Sequence, residues 1–112
     1  MKIAIPLADE KMSLHFGHCE AFAMIEVDDD TKVIKGKTIL VPPPHEPGLL
    51  PKWLAEHEAT IIIAGGMGAR AQQLFAEKNI KVVLGATETD PEKVVQDYLN
   101  DTLKTGENPC DH

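Results

Sequence analysis

Residues Thr60 to Arg70 read Thr-Ile-Ile-Ile-Ala-Gly-Gly-Met-Gly-Ala-Arg, and this stretch constrains the chain more than any other. β-Branched apolar residues run into Gly65, Gly66 and Gly68, and Ala71, Leu74 and Phe75 then fall at helical spacing. The pattern predicts a strand, a glycine turn and a helix. Four consecutive apolar residues, Ile61 to Ala64, suit a strand buried on both faces, hence a central parallel strand. At such a junction the N–H groups of the helix start lack intrahelical partners, and glycines let an anion approach.

The rest of the chain supplies elements around that unit. Lys2–Pro6 reads as a first strand, and residues 7–20 as a loop. Ala21–Val27 and Val33–Val41 read as a hairpin about the acidic turn Asp28-Asp29-Asp30-Thr31-Lys32. The prolines of Pro42–Gly48 make a stiff connection that cannot lie inside a sheet. Leu49–His57 reads as a helix with Pro51 in its first turn, and Gly68–Lys78 as a second, closed near Asn79. Lys81–Leu84 is a short strand. Asp90 followed by Pro91 is a strong helix start, and Gly106 ends that helix or follows its end. The order β-β-β-α-β-α-β-α predicts a mixed five-stranded sheet, antiparallel in its first half and parallel in its second, with helices on both faces. Residues 1–104 form one domain on this reading, and residues 105–112 a mobile Cys- and His-containing tail.

Charge narrows the partners. The net charge of −7 argues against a nucleic-acid backbone and against an anionic membrane, whereas a small anion can still be held by local backbone dipoles. No apolar run is long enough for a signal core or a membrane span, so the cytoplasm is the expected location.

Three groups of residues carry chemistry. Ser13-Leu14-His15-Phe16-Gly17-His18-Cys19 sets two imidazoles and a thiol close together, the donors that bind zinc, copper, iron and sulfide clusters. Cys110-Asp111-His112 offers further donors from the tail. The glycine turn offers backbone N–H groups, Arg70 adds a cation, and Met67 a thioether or an apolar cover. Gly66-Met67-Gly68-Ala69-Arg70-Ala71 also fits a dinucleotide fingerprint, with Glu88 20 residues beyond Gly68. That turn lies too late in the sheet for the usual arrangement. His45 and His57 have no patterned partners, and nothing demands catalysis. Ligands of open α/β sheets bind beyond the carboxyl ends of strands, so the His15–Cys19 loop and the glycine turn are expected at one rim.

These motifs together resemble a known family. Ser13-x-His15-Phe16-Gly17-x-Cys19-x-x-Phe22, with Ile63-Ala64-Gly65-Gly66-Met67-Gly68, is similar to the dinitrogenase iron–molybdenum cofactor biosynthesis family, which includes nitrogenase-cofactor carriers and orange proteins. His45 to Leu54 looks most like its small stand-alone members, and the likeness runs to about Leu99. The resemblance implies a three-layer α/β/α, ribonuclease H-like fold without enzymatic activity. It also implies binding of an anionic metal–sulfur cluster: an iron–molybdenum cofactor precursor, a molybdenum–copper sulfide or an iron–sulfur cluster. By motif, Ser13, His15, Gly65, Gly66, Met67, Gly68 and Arg70 would contact the cluster. His15, His18 and Cys19 would meet its metal, with Cys110 and His112 as additional donors. The alternatives are a regulatory module that binds partner ATPases or cofactor-recipient proteins through Pro42–Gly48 or the tail, and a small nucleotide-binding domain.

Overall fold

The computed structural model describes residues 1–13, 19–43 and 48–103. β1 (Lys2–Ala8) is the middle of a mixed sheet. On one side it pairs antiparallel with β3 (Ala21–Val27), which pairs antiparallel with β4 (Ile34–Leu40). On the other it runs parallel to β5 (Ile61–Ile63), and β5 parallel to β6 (Lys81–Val83). The expected antiparallel and parallel halves are both present. A sixth strand, β2 (Lys11–Met12), pairs with β1 inside the stretch read from sequence as a loop.

That departure has a local cause. Asp9 and Glu10, with φ of 52° and 67°, form the two-residue turn between β1 and β2. Tight hairpins with two left-handed residues normally use Asn or Gly, so Asp-Glu gave no turn signal.

Strand alternation sends side chains to two cores. Ile3, Ile5, Ala23, Ile25, Ile61 and Ile63 pack with Val94 and Val95 of α3 (Pro91–Leu99). On the opposite face, Ala4, Phe22, Met24 and Ile62 pack with Leu50 and Leu54 of α1 (Leu49–Glu56) and Phe75 of α2 (Ala69–Glu77). The result is the expected α/β/α sandwich. Each fully buried large apolar side chain contributes about 1.5–3 kcal/mol of transfer free energy. α1 and α2 end in left-handed Glu58 and Asn79. α3 ends at Asn100 and the left-handed Asp101, so of the two readings of Gly106 the one in which it follows the helix end holds; Gly106 itself lies outside the described residues. Asp tolerates that conformation, and glycine is not required.

The acidic turn is structural, as its composition implied. Asp28 Oδ1 accepts the N–H groups of Asp30 and Thr31, both at 2.9 Å. Those bonds, first the one from Thr31, hold its carboxyl below the usual carboxylate range.

Candidate functional site

The carboxyl rim is built where β1 changes partners. β5 pairs with β1 only at Ile3 and Ala4; further on, β2 takes over, with Leu7 opposite Met12 and Ala8 opposite Lys11. Pro6 stands between these two pairings. No residue of β5 pairs with it, so its missing N–H costs that ladder nothing, and the Ser13 N–H donates to its carbonyl at 2.8 Å. Met12 N–H donates to Thr89 O at 2.8 Å, which joins β2 to the loop after β6. Ser13, where the candidate loop leaves the sheet, is buried. Cys19, where that loop returns, is followed by Glu20, whose N–H donates to Leu7 O at 2.7 Å.

The glycine turn follows β5, which runs parallel beside β1. Gly85 N–H donates to Gly65 O at 2.9 Å, and Gly85 needs its glycine because its φ is 83°. Gly65 and Gly66 are buried, and Gly68 is exposed. Gly68 is the N-cap of α2, at φ −66° and ψ 155°, a conformation any residue adopts. A Cβ placed on Gly68 meets nothing within 4 Å. Neither the backbone nor the packing therefore requires glycine here. No side chain caps this helix, its first turn holds no acidic residue, and its first N–H groups have no intrahelical partners. Arg70, exposed in that first turn, makes no ion pair among the described residues. Gln72 Nε2 donates to Met67 O at 2.9 Å and steadies the turn, a role the sequence did not signal.

Met67 is only 1% exposed and packs in the same core as Cys19, Phe22 and Phe75. Its thioether therefore lies in the core and does not cover the rim. An apolar side chain here turns inward because burial is worth more than any exposed position offers.

Cys19 is 7% exposed, and burial pushes its thiol up from 9.0 to about 11, against a smaller lowering by a backbone hydrogen bond. At neutral pH it is a protonated thiol, so any metal that binds it must displace the proton. Among the described residues, no group of three or more His, Cys, Asp or Glu side chains stands ready to hold a metal ion. His15, His18, Cys110 and His112, and also His45, lie outside the described residues. The described residues thus combine a helix start without a side-chain cap and, in one core with Met67 of the same turn, a buried thiol.

Two other residues have local roles, His57 at the far end of the sheet and Glu88 in the loop before α3. His57 stacks edge-on against Trp53, with ring centroids 4.8 Å apart, and caps the end of α1. Its neighbour Glu58 pairs with Lys2 at 3.3 Å, at the opposite end of β1. Glu88 Oε1 accepts the N–H groups of Thr89 and Asp90 at 3.0 and 3.1 Å, so the acid of the dinucleotide pattern shapes the turn into α3.

Known proteins share this arrangement. A protein of Methanocaldococcus jannaschii, MJ0580, is 30% identical over 109 residues, 93% of this chain and 90% of the relative. The crystal structure of PH0822 superposes with a TM-score of 0.84 at 28% identity, over 95% of this chain and 96% of that one. The apo form of the orange protein from Desulfovibrio gigas shares the fold, with a TM-score of 0.65 at 23% identity over 96% of this chain and 94% of that one. The sequence profile described as "Dinitrogenase iron-molybdenum cofactor" matches residues 1–101. A match over residues 1–101 shows that the chain belongs to the dinitrogenase iron–molybdenum cofactor family.

Proposed function

We propose that this protein binds and carries an anionic metal–sulfur cluster in the cytoplasm and catalyses no reaction on it. One observation carries the reading: the start of α2 is uncapped and open over Gly68, with the cation of Arg70 in its first turn. Family membership and the fold shared with the orange protein support the same class of cargo. The first-turn N–H groups, with Gly65, Gly66 and Gly68, would face the sulfides. Ser13, His15, His18 and Cys19 would approach from the neighbouring loop, with Cys110 and His112 as further donors. A molybdenum–copper sulfide, an iron–molybdenum cofactor precursor and an iron–sulfur cluster all have the required negative charge.

The energetics favour carriage over permanent storage. A helix start stabilises a negative charge by about 0.3–1 kcal/mol, and by up to about 2 kcal/mol when partly buried. Cys19 adds a strong bond only after losing its proton, so ligation through it releases a proton and weakens as pH falls. A cargo held chiefly by the cradle leaves quickly enough to be handed on to a recipient protein.

The test is anaerobic reconstitution. Protein is titrated with tetrathiomolybdate, with and without copper, and separately with iron and sulfide. Visible spectra and the Mo, Cu, Fe and Zn content of the desalted protein are then measured. Saturable charge-transfer bands that weaken in Cys19→Ser and His15→Ala support the reading. Absence of such bands under every reconstitution refutes it, and saturable binding of ATP or NAD in their place would restore the nucleotide reading.

A further inference from the structure

β4 is the outer strand of the sheet, and its two halves are built differently. In the first half the register with β3 slips at Glu26/Val27, and exposed Lys35 and Lys37 occupy the strand. A bulge and lysines are standard protection against edge pairing. The second half has neither. Thr38, Ile39 and Leu40 keep a regular register with Met24, Ala23 and Phe22. Ile39 is 50% exposed and Val41 is 75% exposed.

A cleft of about 450 Å³ opens beside this unguarded half, with Leu7, Ala21, Ile39 and Pro91 as its apolar floor. Asp9, Glu10 and Glu20 rim it, and none of them makes an ion pair among the described residues. Lys37, the one cation in its lining, is already paired with Glu92 at 3.3 Å. The cleft lies on the α3 face of the sheet, across β1, β3 and β4, so a side chain from a segment beside β4 reaches it past Ile39; the β4 edge that such a segment meets pairs with no further strand among the described residues, and the cleft's carboxylates are not offset there.

We propose that this groove docks an extended segment of a partner protein that presents an apolar residue to Ile39 and a Lys or Arg to the cleft. The segment adds to the sheet beyond Thr38–Leu40, so main-chain hydrogen bonds hold it and alternate side chains select it. Charge decides between occupants. A second copy pairing β4 with β4 would bring two sets of the same carboxylates together, in chains that each carry a net charge of −7. A basic segment neutralises them. The proposal does not depend on what the rim carries.

The test uses the full-length protein, labelled with nitrogen-15, and an acetylated, amidated peptide Val-Val-Arg-Arg-Val-Val. The doubled pattern places two apolar side chains and one basic side chain on each face of a strand. The control peptide replaces both Arg by Glu. Saturable amide shifts confined to residues 20–23 and 37–41, with the Arg peptide bound at least about tenfold tighter than the control, are expected. Ile39→Glu, and separately Glu10→Lys with Glu20→Lys, each abolish the shifts; all three positions are exposed, so the fold is retained. Shifts elsewhere, equal binding of both peptides, or full binding by the variants would overturn the proposal. Concentration-dependent shifts in β4 without peptide, together with a doubled sedimentation mass, would make a second copy the occupant and overturn it as well.

Discussion

α2 and α3 begin at the same rim, each after a parallel strand, and they begin in opposite ways. α3 is closed. Asp90 accepts the Glu92 N–H at 3.0 Å, Pro91 has no N–H to satisfy, and Glu92 sets a negative charge in the first turn. α2 has Gly68 at its cap, no side-chain acceptor and Arg70 in its first turn. An acid at a helix start stabilises the helix, and a cation there opposes the dipole. α3 has thus supplied its own anion, whereas the start of α2 has none, and the proposed cargo would take that place. The two also differ in anchorage. α3 buries Pro91, Val94 and Val95, and α2 buries Phe75 alone.

The largest expected effect tests that anchorage. Phe75→Ala should cost about 3–5 kcal/mol, read from the urea midpoint, because it empties the one fully buried position that fixes α2. A loss below about 1 kcal/mol would mean that α2 is held by other contacts, and the contrast with α3 would fail.

The α2 face also holds the buried Cys19, which makes stability depend on pH. The thiol ionises near 9.0 in its ordinary state and near 11 in the fold. Between those values the unfolded chain gives up its proton first, so the folded state loses stability as pH rises. The loss is at most about 3 kcal/mol across the window. Denaturation followed from pH 8 to 11 should show this decline in the wild type and a flatter profile in Cys19→Ala.

Asp90→Ala should cost about 1 kcal/mol by removing the α3 cap, and should leave cluster uptake unchanged. A parallel fall in uptake at full folding would show that the two helix starts act on the cargo together.

Gly68→Asp has the smallest expected effect on stability. An N-cap Asp is only a few tenths of a kcal/mol better than Gly. The same change gives α2 the closed start of α3 and sets a negative charge where the cargo's charge belongs. Uptake of tetrathiomolybdate with copper should fall about tenfold or more, equivalent to about 1.4 kcal/mol. Wild-type uptake in this variant would remove α2 from the site.

Much of the fold was legible because local chemistry wrote it. Asp90-Pro91 announced α3, and Asn79 marked the end of α2. The apolar run before Gly65 marked a buried parallel strand, and the acidic turn at Asp28–Lys32 marked the β3–β4 hairpin. The β1–β2 hairpin was illegible because Asp9 and Glu10 adopt a backbone conformation their residue types seldom signal. The turn from β5 into α2 at the glycines was legible. The inward direction of Met67 was not, because its position among glycines resembled an exposed loop.

The sequence by itself determined every strand and helix except β2, which residues carry soft donors, and where the glycines turn the chain from β5 into α2. Those properties arise within a few residues, from side-chain shape, spacing and backbone preference. Only the tertiary structure decided that β2 displaces β5 beside β1 at Pro6, that Met67 and Cys19 lie in one core, and that half of β4 is unguarded. Each of these depends on which distant segment arrives alongside, and strand pairing and burial are settled across the whole sheet.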